Sequence, residues 1–365
     1  MKTPIIQFGT SRFLQAHIDL FIHESIKNKN AAGYITVVQT TNDIKRANRL
    51  KNLSKGYIVH IKGYKNKVVI NEKKQITSIL RGLSTSFDWI DIENIFVTEV
   101  KFVFSNTGDN GFKINKIDSK NEFDQLKSFP GKLLDLLYAR YIKNNQPLTI
   151  FPLELIKNNG NELKKIIINL AQIRNLQNSF IIWLKDEIIW INSLVDRIVS
   201  EAIEPAGAIA EPYALWAVEN QPKLVMPCIH DCISVVSNLE SYERLKLHIL
   251  NLGHTILADI WKKQNRSVNE TVYEILNDNR VYNYLNKIYF DEILPTFTSA
   301  GLQNEAINYI ETTLERLKNP FLKHRLKDIA QNHQEKVFRR IQSFLIWSDS
   351  LESHTNFNEL KRIVF

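Results

Sequence analysis

The sequence predicts an α/β chain in which an N-terminal doubly wound, mainly parallel sheet over residues 1–237 is followed by a mainly α-helical domain over residues 238–365. Three observations predict it. Short apolar runs in the first half stop in polar, glycine-containing loops and lead into amphipathic segments, the alternation expected of parallel strands joined by helices. From about Leu239 onward the apolar residues recur with helical spacing almost to the end. A chain of 365 residues with 44% hydrophobic content can also bury enough apolar surface for two domains.

The elements follow in order. Pro4 to Phe8 reads as a short buried strand that enters the turn Gly9-Thr10-Ser11-Arg12-Phe13 and an amphipathic helix from Leu14 to Ile26. Tyr34 to Gln39 reads as a second strand, and Phe102 to Phe104 as a third that stops at Ser105-Asn106-Thr107-Gly108-Asp109. Leu148 to Ile156 forms another, ending at Lys157-Asn158-Asn159-Gly160 before a helix that runs through Ile173. Ligands of such sheets bind at the carboxyl ends of the strands, so these polar loops are expected to converge on one cleft. A proline-punctuated stretch from Glu204 to Pro227 contains a strand-like Tyr213 to Val218. Beyond it, Tyr242 to Trp261, Val268 to Leu276 and Asn304 to Leu317 read as helices. There is no internal repeat and no low-complexity linker.

Composition narrows the function classes. The formal charge of +8 is spread over lysines that sit among many Ile and Asn residues, a bias that A/T-rich coding produces without selection for an anionic partner. A basic nucleic-acid-binding protein, the remote alternative, would need a basic stripe with base-stacking aromatics or a known module. Neither is present, and no nucleic-acid partner is expected. Cys228 and Cys232 have three residues between them, which is neither a redox C-x-x-C pair nor half of a zinc framework. Both are read as reduced and structural, with no metal site. Met1-Lys2-Thr3-Pro4 leads directly into the first strand, and no apolar run approaches the roughly 18 to 20 residues that span a bilayer. A soluble, cytoplasmic protein without membrane attachment is expected.

Two loops bear on a cofactor. A dinucleotide fold, the Rossmann type, places glycines after its first strand so that backbone can approach a pyrophosphate. Here only Gly9 is present, Ser11 and Leu14 standing at the later glycine positions of G-x-G-x-x-G, and a simple strand-to-helix turn explains it equally well. At the end of the second strand an acid would bond the ribose of NAD and an arginine would accept the extra phosphate of NADP. The chain offers Gln39-Thr40-Thr41-Asn42-Asp43 and then Lys45 and Arg46, which leaves that choice open.

The densest chemistry lies in Glu243-Arg244-Leu245-Lys246-Leu247-His248-Ile249-Leu250-Asn251-Leu252-Gly253-His254. At roughly 100° per residue, Glu243, Lys246, Asn251 and His254 share an arc of about 140°, while Leu245, Ile249, Leu252 and Ile256 occupy the arc that packs on a core. A solvated helix side is the bland reading of that polar face. The alternative is catalytic: a lysine whose pKa is lowered by burial or a neighbouring cation can move a proton near neutrality. An asparagine amide can donate to a developing alkoxide, and a histidine can orient a hydroxyl.

These residues carry a family resemblance. Lys246-x4-Asn251-x2-His254 resembles the catalytic helix of the polyol-specific long-chain dehydrogenases, the family of mannitol dehydrogenase, fructuronate reductase and tagaturonate reductase. Ile5 to Gly9 with Phe13 to His17 is similar to that family's G-x-G-x-F-x-R-A-H turn, and Phe104 to Gly111 to its S-N-T-T-E-x-G loop. Glu154-Leu155-Ile156 with Asn159-Gly160 matches its E-L-x-x-N-G segment, Ser193 to Ile198 matches S-x-V-D-R-I, and Arg316 to Pro320 resembles R-F-x-N-P. Six ordered motifs span nearly the whole chain. Ser11 replaces the second glycine of the turn motif and Gln15 its arginine, which bears on how the pyrophosphate would be held.

The resemblance implies Lys246 as general acid/base, Asn159 and Asn251 as the oxyanion-stabilising pair, His254 as a substrate-orienting group and Glu243 in proton relay to solvent. It implies Phe8, Gly9, Ser11, Phe13, Asn106, Thr107 and Asp109 at the cofactor, NAD with NADP left open, and Asp196 near the substrate. Within the family the pieces look most like the tagaturonate reductase (altronate oxidoreductase) branch. A hexuronate would bring a carboxylate, for which Lys323, Arg325 or Lys336 is available. The expected function is therefore metal-independent hydride transfer between a nicotinamide and a keto sugar acid, tagaturonate or fructuronate, in a monomer or homodimer. A neutral polyol dehydrogenase of the mannitol or arabinitol type is the alternative.

Overall fold

The structure is a computed structural model and describes all residues except 42, 44–46, 109, 352–354 and 365. The expectations for Lys45, Arg46 and Asp109 lie outside the described residues. The strands are β1 Ile5–Phe8, β2 Ile35–Gln39, β3 Tyr57–Lys65, β4 Val68–Ile76, β5 Ile79–Ser84, β6 Phe102–Ser105, β7 Thr149–Pro152, β8 Ile189–Trp190, β9 Ser193–Asp196, β10 Val199–Ala202, β11 Gly207–Ala210, β12 Leu215–Glu219 and β13 Ile233–Val236.

Contacts divide the chain into one unit of Met1–His60, Glu72–Ala210 and Ala214–Leu239, and another of Ile61–Asn71, Glu211–Tyr213 and Glu240–Phe365. The sequence reading assigned the pieces 61–71 and 211–213 to the first domain. Side chains within the second unit bond to them. The Asn319 amide donates to the Lys62 carbonyl at 2.9 Å, and the Arg316 guanidinium grips the Glu211 carboxylate at 2.8 and 2.9 Å. Gly63 has no side chain because a Cβ there would meet the Asn319 amide.

In the first unit a six-stranded sheet runs β5-β2-β1-β6-β7-β8, every adjacent pair parallel. Counted by succession of these six strands along the chain, the order is 3-2-1-4-5-6, that of the dinucleotide-binding fold. β1, β2, β6 and β7 are buried throughout, which is why they read as continuous apolar runs rather than alternating ones. Ile6, Phe8, Val103 and Ile150 pack on one face against Leu133, Leu137, Leu163 and Phe180. Those residues come from the helices Phe129–Lys143, Asn159–Ile173 and Asn178–Asp186.

Two expected elements are shorter than the sequence suggested. The helix after β1 breaks into α1, Arg12–Gln15, and α2, Ile18–Lys27. The break falls at His17, a buried residue outside helical geometry whose Nε2 bonds the Leu215 carbonyl at 2.9 Å. β7 ends at Pro152 rather than Ile156, because Glu154 turns its side chain into hydrogen bonds with the neighbouring loop. The remaining strands form a four-stranded sheet β10-β11-β3-β4 and a three-stranded sheet β13-β12-β9.

The second unit is helical around a large apolar core that includes Leu245, Ile249, Leu252 and Ile256, the residues expected to face it. The helix expected over Tyr242 to Trp261 is interrupted: an α-helix over Glu240–Leu245 gives way to a π-helical turn over Lys246–Asn251, then to an α-helix over Leu252–Lys263. Two further π-helical turns, Ile288–Ile293 and Phe338–Gln342, pack against the first. Of Val268 to Leu276 only Val272–Ile275 is helical, started by a capping box between Thr271 and Glu274. No helix among the described residues is long and apolar enough to cross a membrane.

Candidate functional site

In the first unit the loops after β1, β6 and β7 are locked together. Gly9 has φ of 125°, and a Cβ there would lie 2.6 Å from the Asn106 carbonyl oxygen, so only glycine lets the two loops pass this closely. Gly9 N–H donates to the Val38 carbonyl and Asn106 N–H to the Phe8 carbonyl, both at 3.0 Å. Ser11 caps α1, its hydroxyl accepting from Leu14 N–H. Gln15, standing where the resembling motif has arginine, is buried; it donates to the Thr10 carbonyl and accepts from Gly207 N–H.

The Asn106 amide donates to the Leu153 carbonyl at 2.7 Å. Thr107 donates both its N–H and its hydroxyl to one oxygen of Glu154 at 3.0 Å, and the Ser105 hydroxyl donates to the other at 2.9 Å. Burial nevertheless raises the Glu154 carboxyl above its ordinary range. Phe13 is half-buried and stacks on His17, whereas Phe8 is fully buried against Phe129. Phe8 is thus a core side chain, with only its backbone near the loop.

At the tip of β2 the Gln39 amide donates to the Thr41 and Asp43 carbonyls at 2.9 and 3.0 Å, which fixes which end is nitrogen. Its Oε1 is buried and has no partner among the described residues. Gln39, Thr41, Asp43, Ser54, Ser84 and Asp88 line a cavity of about 400 Å³ between the ends of β2 and β5. A dinucleotide fits these features: the cavity lies where the fold binds its ribose, and Gln39 offers an acceptor that a ribose hydroxyl can satisfy.

Asn159 is one of the two asparagines expected at the oxyanion. It is fully buried, and its amide hydrogens are directed to the Pro152, Glu154 and Ser193 carbonyls at 2.9–3.0 Å, while its oxygen accepts from Ser193 N–H. An amide has two hydrogens, and three acceptors already share them. Gly160 follows because a Cβ there would lie 2.5 Å from the Ile191 carbonyl. Asp196 is buried in β9, opposite Leu215 of β12.

In the second unit the π-helical turn alters the geometry that an α-helical wheel assigns. Hydrogen bonding from i to i+5 brings residues five apart nearly into line along the axis, so Lys246 and Asn251 lie closer to one side than the α-helical 140° implies. Lys246, Asn251 and Glu243 are half-buried. A π turn displaces carbonyls from their usual partners, and the Ile249 carbonyl accepts from the buried Tyr289 hydroxyl at 2.9 Å. Gly253 makes room for that hydroxyl, since a Cβ would fall 1.9 Å from it.

His254 is buried, and its ring meets that of His324 edge-on with centroids 4.8 Å apart. Burial, then the positive fields of His324, Arg340 and Arg316, hold its pKa well below 6.5. Its Nε2 is buried and has no hydrogen-bond partner among the described residues. In the neutral ring, Nε2 accepts a hydrogen bond when Nδ1 carries the proton. Beside it, Arg340 Nη1 donates to the Asn251 carbonyl at 3.1 Å and to the Thr255 hydroxyl at 3.0 Å. Lys323 is exposed, and Arg325 is exposed in a surface ion pair with Asp328 at 3.0 Å. Among the described residues no group of three or more His, Cys, Asp and Glu side chains could hold a metal ion.

Sequence reasoning missed His324, Tyr289 and Arg340. His324 sits four residues after Pro320 in the quoted R-L-K-N-P stretch, a signal that was available; nothing in the pattern marks Arg340 among 47 Lys and Arg residues.

Residues 3–230 match the family described as Mannitol dehydrogenase Rossmann domain, and residues 238–364 that described as Mannitol dehydrogenase C-terminal domain. The chain is similar to altronate oxidoreductase of Halalkalibacterium halodurans, 31% identical over 92% of this chain and 69% of that protein. It is also 31% identical to altronate oxidoreductase of Bacillus subtilis, over 92% of this chain and 73% of the relative. Among solved structures it resembles a D-sorbitol dehydrogenase at a TM-score of 0.80 and 18% identity, covering 94% of this chain and 76% of that one. Mannitol 2-dehydrogenase of Pseudomonas fluorescens, in a ternary complex with NAD and D-mannitol, aligns at 0.74 and 15% identity, covering 100% and 84%. At these identities the two structures speak to the fold.

Proposed function

The chain belongs to the mannitol dehydrogenase family, and from that premise we propose that it is an NAD-dependent oxidoreductase interconverting a keto sugar acid of the tagaturonate or fructuronate type and its aldonate. The observation that carries the substrate class is the similarity to altronate oxidoreductases along 92% of the chain. NAD, when bound, supplies or accepts the hydride. Gly9, Ser11, Phe13, Asn106 and Thr107 would hold it in the first unit, with Gln39 Oε1 accepting from a ribose hydroxyl.

In this reading Lys246, protonated, gives its proton to the substrate carbonyl oxygen during reduction; in oxidation the neutral amine takes the hydroxyl proton. Asn251 donates to the developing alkoxide, a role that needs a side-chain amide with hydrogens to spare. Asn159, whose amide is spent on backbone carbonyls, is assigned to holding the β7 loop. His254 stays neutral and accepts a hydrogen bond from a substrate hydroxyl through Nε2, the buried acceptor that otherwise lacks a donor. Glu243 passes protons between Lys246 and solvent, and Asp196 supports the substrate loop.

Reduction of tagaturonate and fructuronate by NADH tests this against fructose. kcat/KM should favour a keto acid by at least about a hundredfold, roughly one charge-assisted hydrogen bond of 2 to 3 kcal/mol. Comparable efficiency on fructose would move the enzyme to the neutral polyols, and turnover of none of the three would overturn the assignment.

A further inference from the structure

A carboxylate leaving water needs a fixed cation, because a buried charge without a partner is costly. The cations of the second unit differ in whether they are already satisfied. Arg316 is neutralised by Glu211, both side chains almost fully buried. Arg325 is paired with Asp328 at the surface, Arg266 with Glu270 and Asp278, and Arg244 with Glu240. Lys336 is spent on the Ile329 carbonyl at 2.8 Å.

Arg340 stands apart. It is half-buried, and among the described residues no carboxylate lies within ion-pair distance of it. The charges that bear on it are cationic, Arg339 on its guanidinium and its own field on Lys336 and His254, while the nearby Glu335 carboxylate is paired with Arg339 at 3.6 Å. Nη1 is anchored to the Asn251 carbonyl and the Thr255 hydroxyl. Among the described residues Nε and Nη2, the edge through which Arg316 holds Glu211 in a two-pronged bond, have no acceptor. A guanidinium edge fixed in place, partly dehydrated and without a carboxylate of its own is a built receptor for a planar anion.

We propose that Arg340, rather than Lys323 or Arg325, binds the carboxylate of the substrate through Nε and Nη2 and so sets the preference for sugar acids over neutral ketoses. The inference rests on the function proposed above. It joins recognition to the catalytic segment, since Nη1 of the same guanidinium holds the carbonyl of Asn251, one residue of the Lys246–Asn251 turn.

Labelling by phenylglyoxal, read by mass spectrometry on the wild-type enzyme, tests binding without a variant. An aldonate such as altronate should slow modification of Arg340 by at least about tenfold, the effect of a charge-assisted hydrogen bond of about 1.5 kcal/mol, while the matching uncharged alditol should not. Equal labelling with and without aldonate, or equal protection by the alditol, would overturn the proposal. In kinetics, Arg340→Gln should lower the ratio of kcat/KM for keto acid over neutral ketose by at least about tenfold, and Arg340→Lys should restore part of it. An equal loss on both substrates marks a merely structural residue and overturns the proposal. Wild-type enzyme inactive on every keto acid would instead overturn the proposed function, so the two failures are distinguishable.

Discussion

Gly253→Ala tests whether the π-helical turn is held open by Tyr289. The added Cβ would lie 1.9 Å from the Tyr289 hydroxyl oxygen and 3.0 Å from Cζ. Non-bonded heavy atoms settle near 3.5 Å or beyond, so the ring must retreat by more than ~1 Å. That takes the hydroxyl, now 2.9 Å from the Ile249 carbonyl, out of hydrogen-bond reach. Two buried polar groups then lose their partner at about 1–3 kcal/mol, and moving a fully buried ring in a filled core adds about 1–3 kcal/mol. Alanine's better helix propensity returns about 1 kcal/mol. The net loss should be about 1–5 kcal/mol, measured by urea titration, with a fall in kcat because Asn251 ends the disturbed turn.

The double variant makes the reasoning refutable. Tyr289→Phe alone leaves the Ile249 carbonyl unsatisfied and is itself destabilising. With the hydroxyl gone, however, the alanine methyl has lost its nearest obstacle. Gly253→Ala and Tyr289→Phe should therefore couple by about 1 kcal/mol or more, the combination costing less than the sum. Additive losses, or a Gly253→Ala protein as stable as the wild type, would show that this contact does not shape the turn.

Lys246→Ala should lower kcat by about two to four orders of magnitude with cofactor affinity nearly unchanged; a variant keeping a tenth of wild-type turnover sinks the acid/base assignment. Exhaustive dialysis against EDTA should leave turnover intact, and loss restored by zinc alone would refute metal-independent chemistry. Asn159→Asp exchanges donors for charge opposite three carbonyls, so thermal unfolding should show a loss of about 3–5 kcal/mol; wild-type stability with abolished turnover would return Asn159 to the oxyanion. Burial depresses the pKa of His254, and that of His248 to about 4. Unfolded histidines gain protons below about pH 6.5 that the folded ones refuse, so stability holds above that pH and should fall on acidification toward pH 4, by up to about 2.7 kcal/mol per pH unit for the two. Urea midpoints independent of pH between 6.5 and 4.5 would contradict that.

What the sequence shows of the fold follows burial. β1, β2, β6 and β7 are sealed on both faces and stand out as apolar runs before polar loops. β4, Val68–Ile76, exposes most of its residues, among them Glu72 and Lys73, and β5 carries Arg81 and Gly82 between apolar ends. Neither has the period that marks a strand. Gly82 is there because a Cβ would press within 2.5 Å of the Leu50 carbonyl, a tertiary demand with no local signature. The π-helical turn was equally hidden, since Lys246 to Asn251 has ordinary helical composition and the hydroxyl that meets its Ile249 carbonyl belongs to Tyr289, 40 residues away.

The site separates into residues whose type is dictated by chemistry and residues whose type is dictated by packing, and motif similarity does not distinguish them. Asn159-Gly160 and Lys246-x4-Asn251-x2-His254 are equally striking as patterns in one dimension. In the fold, Asn159 ties three strand-end carbonyls together and Gly160 admits the Ile191 backbone, needs that exist with or without a substrate. His254 shows the reverse. Its Nε2 is buried beside cations and has no partner among the described residues, an arrangement that costs stability unless a ligand completes it. Arg340 is the same kind of residue with opposite polarity, a donor edge lacking an acceptor. An unmet acceptor and an unmet donor edge in one unit are complementary to a molecule that carries both hydroxyls and a carboxylate, which is the description of a sugar acid.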